Sequence, residues 1–357
     1  MKNPGATERP LALSVLDLAP VPQGTTSAEA LGNSLVLVRR VEELGYVRHW
    51  VAEHHNMRGI ASSAPAVLIA HLAAATTTIR VGSGGVMLPN HPPLVVAEQF
   101  GMLEALHPGR IDLGLGRAPG TDPVTARALR RSAAPLSADD FPQQLGELMA
   151  WFNSSFPEDH PYRAIHAVPA EGNMPAIWLL GSSGYSAQVA GLLGLPFAFA
   201  HHFSPENTEV AMELYHQRFT PSDVLSEPYP MLGVAAVVAA SDEEAVRLHG
   251  PSRLQMLLRR TNRPSRMVSP EEAAAYEWGP GEEALAASLT RHHLVGSPAT
   301  VMEGLEKLAA ATGAKEMMIT TNLYNFQERV TSYELLAGSA GLTPVSAAGP
   351  GARAGSR

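Results

Sequence analysis

The sequence predicts an α/β fold, a (β/α)8 TIM barrel over residues 11–341 with long insertions after strands four and seven, on three observations. Eight short apolar runs recur along 357 residues, helix-period segments separate most of them, and polar residues and glycines collect where the runs end. Strand then helix, repeated, means a parallel sheet, and eight repeats suggest one closed on itself. An open doubly wound sheet is the alternative.

In order, the runs are 11–16, 49–52, 79–83, 111–115, 176–180, 196–200, 231–239 and 316–320. The clearest helix is 28–44, with Leu31, Leu35, Val38, Val41 and Leu44 along one stripe. Thr26 and Glu29 form a capping box at its start, and Gly45 stands where a C-terminal cap belongs. Pro92-Pro93 opens another helix and Gly109 closes it, while Ser204-Pro205, the stretch 241–244 and Ser297-Pro298 are further N-terminal signals. Two connections are too long for barrel loops. Residues 119–175 hold an expected helix at 137–152 and a Pro/His-rich stretch at 156–162, and 257–293 begins with the basic run from Arg259 to Arg263. Both are expected to cover a pocket. Residues 1–10 and the Ala/Gly/Pro/Ser/Arg segment 342–357 are expected to be disordered.

Composition narrows the function. A chain 45% hydrophobic can bury a large core, and its formal charge of −8 with no basic block disfavours nucleic acid or an acidic membrane as partner. There is no cysteine, which excludes disulfides, thiolate metal sites and a thiol nucleophile. The first ten residues lack the apolar core of a secretory signal and no apolar stretch reaches membrane-spanning length, so a cytoplasmic protein is expected.

Barrel enzymes carry their chemistry at the C-terminal ends of strands. Here those ends read Asp17, Glu53-His54-His55, Ser83-Gly84-Gly85, Arg117, Gly181-Ser182-Ser183-Gly184, His201-His202 and Thr320-Thr321-Asn322. His54 and His55 are adjacent on an extended chain and point to opposite faces, so a proton-handling role for one of them suits better than a shared metal. The alternative is a pair of solvated rim residues. Gly84-Gly85 interrupts a strand, as a bulge would, and also lets a planar ring lie against bare backbone. Gly181 to Gly184 opens a helix whose first amides, with the serine hydroxyls, make an anion site, to which Arg117 adds a bidentate clamp. No Walker lysine accompanies it. Imidazole, bare peptide and guanidinium at one mouth suit a flat, anionic cofactor held above a proton-transfer group.

The motifs Glu53-His54-His55, Val81 through Pro89 (VGSGGVMLP) and Gly109 through Arg117 (GRIDLGLGR) resemble those of the bacterial luciferase-like flavin monooxygenases, over roughly 11–337 and most strongly over 45–122. Within that superfamily the chain looks most like the antibiotic and polyketide tailoring oxygenases. The resemblance implies reduced FMN from a separate NAD(P)H:flavin reductase, and O2 forming a flavin C4a-hydroperoxide that oxygenates a small organic substrate. It makes His54 the catalytic histidine with Glu53 supporting it. It places Ser83, Gly84 and Gly85 under the flavin, with a cis peptide at Gly84-Gly85. Arg117, Gly181, Ser182, Ser183 and Ser186 become the phosphate site, and Asp17, Gly116, His201, His202 and Phe203 the substrate side. It also implies a homodimer through 93–106 and 64–76, where Ala66, Ala70, Ala73 and Ala74 would permit close approach.

Two positions depart from luciferase itself, which has an acidic residue at Ser182 and a cysteine at Gly116. A long-chain aldehyde and light emission are therefore not expected, and Gly116 is expected to widen the pocket for a bulkier, polycyclic substrate. Three other functions stay open: a deazaflavin-dependent hydride-transfer enzyme, a flavin-binding protein without turnover, and a zinc hydrolase using His54, His201 and His202.

Overall fold

The computed structural model describes residues 11–118, 120–130 and 140–344. The expected disorder of 1–10, and of 342–357 from 345 onward, lies outside the described residues. Leu342 still packs on the core.

Eight parallel strands close into a barrel in the order β1 (Ala12–Asp17), β2 (Arg48–Val51), β3 (Arg80–Met87), β4 (Ile111–Gly116), β5 (Ala176–Gly181), β6 (Phe197–Phe199), β7 (Pro230–Val238) and β9 (Glu316–Thr320), which returns to β1. A short strand not foreseen, β8 (Leu294–Gly296), extends the C-terminal half of β7 outside that ring. Helix α1 (Ser27–Leu44) has the expected capping box and a left-handed Gly45 cap. Helices α2 (Pro65–Ala74) and α3 (Pro93–Leu106) follow β2 and β3.

The connection from β4 to β5 carries α4 (Pro123–Arg130) and α5 (Phe141–Asn153). Helix α5 packs beside α3 and buries Phe141, Leu145, Leu148, Trp151 and Phe152, so it belongs to the barrel's outer helical layer. This corrects the expectation that the whole segment covers the mouth: an amphipathic helix with five buried side chains is held by the wall it covers. Residues 137–139 of the expected helix lie outside the described residues. After β5, β6 and β7 come α6 (Gly184–Leu192), α7 (Thr208–Arg218) and α8 (Asp242–Arg260), then α9 (Pro270–Ala274) and α10 (Glu282–Thr290). This second insertion has its own apolar cluster around Leu254, Leu257, Ala273 and Ala286. It is tied to the loop after β1 by Gln23 N–H donating to the Met267 carbonyl (2.8 Å) and Arg266 donating to Thr25 (3.1 Å). Helices α11 (Pro298–Thr312) and α12 (Phe326–Ala340) complete the ring.

The barrel interior is layered. At its base Arg48 bridges Glu316 (2.7 Å) and Asp112 (2.8 Å), Arg80 adds a second cation on Asp112 (2.6 Å), and Trp50 and Tyr229 donate to the same carboxylates. Two buried acids face two guanidiniums, so removing any one leaves an uncompensated charge. Above lies an apolar layer of Leu16, Trp50, Trp178, Ala198, Met231 and Met318. The mouth begins above that. Among the described residues no helix is long and apolar enough to cross a membrane.

Candidate active site

Alternation along β2 sets the roles of its C-terminal residues. Trp50 and Ala52 face the interior, so His54 follows them toward the mouth while Glu53 turns to the wall. Glu53 is 1% exposed and accepts from His55 (3.0 Å), His91 (3.0 Å), the Met87 amide (3.0 Å) and Asn90 (3.2 Å). Burial raises its carboxyl, but the hydrogen bonds from His91 and the others outweigh this and hold it below the usual range. The expectation that Glu53 supports His54 is corrected: its lone pairs are occupied by His55 and the segment after β3, so it clamps two loops together.

His54 Nδ1 lies 3.4 Å from the Gly120 carbonyl. A carbonyl only accepts, so Nδ1 carries the proton and Nε2 is left as an acceptor. Burial pushes this imidazole below its ordinary range, and the Arg259 guanidinium adds to the effect.

On β3 the peptide between Gly84 and Gly85 is cis, and the pairing register with β4 shifts between Gly84 and Val86, so both the bulge and the cis bond stand at the expected position. Ser83 is fully buried and bonds both Gly114 N–H and Gly114 C=O at 3.0 Å. Its hydroxyl joins β3 to β4, which corrects its placement under a ring. At Gly116 an added Cβ would stand 2.7 Å from Met87 Cε. The hollow expected there is filled by Met87, so Gly116 does not widen the pocket.

Arg117 leaves β4 and lies over the Tyr185 ring, 4.3 Å from its centre. Tyr185 is in the first turn of α6, so the two halves of the expected anion site meet. Ser182 and Ser183 are exposed, Ser183 makes no side-chain cap, and the first turn holds no acid. Ser186 is buried beneath Gly181 instead, where an added Cβ would come within 2.8 Å of it. Serine hydroxyls, uncapped helix amides and a guanidinium with no carboxylate partner among the described residues fit a phosphate monoester.

The remaining expected site residues divide. Asp17 is fully buried on Arg329 (2.8 Å) and the Ala19 amide (2.8 Å), and burial is overcome by that guanidinium to leave it at about 2. It faces the helices as Leu13 and Val15 do, which corrects its assignment to substrate. His201 is likewise turned outward, bonded to Thr208 of α7 at 2.8 Å. His202 stays at the mouth: Nδ1 donates to Gly233 C=O (2.9 Å), Gly233 leaves the room its ring occupies, and burial brings it to about 4. Phe203, 60% exposed, rests against that ring. Beside them a small cavity is lined by His249, Ser252, His293, Thr320 and Asn322, with His249 Nε2 2.9 Å from His293 Nδ1. Among the described residues no three His, Asp or Glu side chains are placed to hold a metal ion, which leaves the zinc-hydrolase alternative without a ligand set.

Met87, Tyr185, His91 and the His249–His293 pair were not foreseen as site residues. Tyr185 alone had a local signal, the aromatic following a Gly-Ser-Ser-Gly turn; the others arrive from distant segments.

Residues 12–316 match the family described as luciferase-like monooxygenase. A luciferase-like monooxygenase of Escherichia coli K12 is 45% identical over 92% of this chain and 97% of its own. The N-acetyl-S-alkylcysteine monooxygenase of Bacillus subtilis is 36% identical over 92% of this chain and 97% of its own. Among solved structures, apo-MsnO8 is 40% identical with a TM-score of 0.87, covering 94% of this chain and 100% of its own.

Proposed function

The chain belongs to the luciferase-like monooxygenase family, a family of flavin-dependent oxygenases, and from that membership we propose that it uses reduced FMN and O2 to oxygenate a small organic substrate. The observation that carries FMN is the meeting of unpaired Arg117 with the uncapped start of α6, a phosphate-shaped donor set one strand away from Gly84-Gly85. Bound there, reduced FMN supplies the electrons that activate O2. Arg117, Ser182 and Ser183 hold its phosphate, the peptide planes at Gly84-Gly85 support its ring, and His54 Nε2 takes or returns a proton at the mouth. The cover built by α8 to α10 excludes water from that space. The family resemblance makes a separate NAD(P)H:flavin reductase the expected partner.

For the substrate we favour a compact molecule over a polycyclic polyketide, because Met87 fills the hollow at Gly116. The N-acetyl-S-alkylcysteine monooxygenase of Bacillus subtilis, 36% identical, is the relative whose name points to such a molecule, a small thioether. A homodimer through α2 and α3 is supported by Val67 (72% exposed), Met102 (52%) and Leu106 (64%) on their outer faces; Ala73 is buried within the fold and takes no part.

The test is oxygen uptake by the protein supplied with reduced FMN and N-acetyl-S-methylcysteine, with oxygenated product measured. Product formation that needs O2 and is lost in His54→Ala supports the reading. Uptake without product in the wild type, or unchanged product in His54→Ala, refutes it. The deazaflavin alternative predicts hydride transfer with no oxygen consumed.

A further inference from the structure

We propose that the cavity where β7, β9 and α8 meet is a polar subsite of the substrate pocket, in which Thr320 and the His249–His293 pair seat the carbonyl oxygen of an uncharged amide. The inference rests on the reading of the barrel mouth as the substrate space. Alternation along β9 turns Glu316, Met318 and Thr320 inward, and Thr320 is level with Ala235 of β7. Two residues earlier on β7, Gly233 leaves the room that the His202 ring occupies. The cavity lined by Ala235 and Thr320 therefore stands one layer above His202.

Thr320 is 4% exposed, yet its Oγ1 has no hydrogen-bond partner among the described residues. Most buried hydroxyls are paired, so this one marks a position that a group from solution completes. Neighbouring hydroxyls are already spent: Ser252 donates to Asn322 C=O (2.6 Å) and Thr321 to Ala236 C=O (2.9 Å). The imidazoles supply a second donor. Burial holds His293 at about 3 and His249 at about 4, so two neutral rings share two protons. One proton lies between His249 Nε2 and His293 Nδ1, which are 2.9 Å apart. The ring that accepts within the pair carries its own proton on its other nitrogen, so the pair always presents one N–H beyond itself. An O–H and an N–H at one cavity match the two lone pairs of a carbonyl oxygen. Free space of about 20 Å³ admits a single group of water size, not a whole molecule. No charged side chain among the described residues lines it, so an anion would enter without a counter-ion.

The experiment titrates the full-length protein, with no flavin added, by calorimetry. Its probes are N-acetyl-S-methylcysteamine and pentyl methyl sulfide, which is the same chain without the amide. The wild type should bind the amide. Thr320→Val replaces the hydroxyl by a methyl of nearly the same shape. It should weaken the amide about three- to tenfold, the order of one neutral hydrogen bond, and leave the sulfide unchanged. Thr320→Ser should keep most of the wild-type affinity. Thr321→Val, which removes the hydroxyl bonded to Ala236, should leave it intact. In ring-nitrogen NMR the amide, and not the sulfide, should shift the His249 and His293 signals. No binding of the amide, a loss shared equally by the sulfide, or imidazole signals that the amide does not move overturns the proposal. So does an amide affinity that survives Thr320→Val, the result expected if the cavity holds a lodged water only. Because no flavin or oxygen enters this titration, it fails or succeeds separately from the oxygenase assay.

Discussion

Replacing Arg117 with alanine is the sharpest probe of the flavin site. The side chain makes no ion pair among the described residues and lies over Tyr185, so its charge is available to a ligand and its fork is held in place by the ring. A charge-assisted contact contributes about 1.5–3 kcal/mol. Arg117 is partly exposed, which screens it, so the lower half of that range applies. The expected loss of about 1.5–2 kcal/mol corresponds to a ten- to thirtyfold rise in the FMN dissociation constant. Flavin fluorescence quenching measures it, with riboflavin as the comparison because it has the ring and lacks the phosphate. Arg117→Ala should weaken FMN and leave riboflavin nearly unchanged, and the wild-type preference for FMN should shrink in high salt. Arg117→Lys should fall between, keeping charge without the fork. Equal weakening of FMN and riboflavin, or none of either, would refute the phosphate assignment.

Three further outcomes are expected. Glu53→Gln should cost about 2–4 kcal/mol in urea unfolding, because the new amide N–H2 faces donors from His91, Asn90 and Met87; a loss below about 0.5 kcal/mol would mean the clamp is not formed. Gly116→Ala should destabilise by less than about 1 kcal/mol, because the groups it meets are the Cε and Sδ at the flexible end of Met87, which can swing aside, and a loss above about 2 kcal/mol in urea unfolding would show that this side chain is locked in place. His49 and His249, both held at about 4 by burial against an ordinary 6.5, make stability fall as the pH drops. The sign follows from the unfolded chain binding more protons below 6.5, so full stability holds above that value and is lost progressively toward 4. At pH 5 the loss is about 2 kcal/mol for each. The window for Asp17 lies lower, between its ordinary 3.8 and about 2, so an acid transition confined below pH 4 would contradict the histidine account.

What could be read from the order of residues was whatever depends on neighbours along the chain. Eight apolar runs became the eight barrel strands, often within a residue or two, because strand length and helix period are local properties. The α1 capping box and the Gly84-Gly85 bulge were legible for the same reason. So was the gathering of chemistry at one rim, since parallel strands put all their C-terminal ends on one side. Side-chain partners were not legible. Asp17 ends β1, Ser83 lies within β3 and His201 follows β6, but the direction of each side chain sends it to a partner already in the fold: Arg329 of α12, Gly114 on the neighbouring β4, or Thr208 at the start of α7. The same holds for Glu53, whose partner His91 is 38 positions away, and for Met87 filling the space at Gly116. Sequence determined which rim would carry the site; the packed tertiary structure decided which of its polar groups remain free to meet a ligand, because a group already satisfied by a distant neighbour has nothing left to offer one.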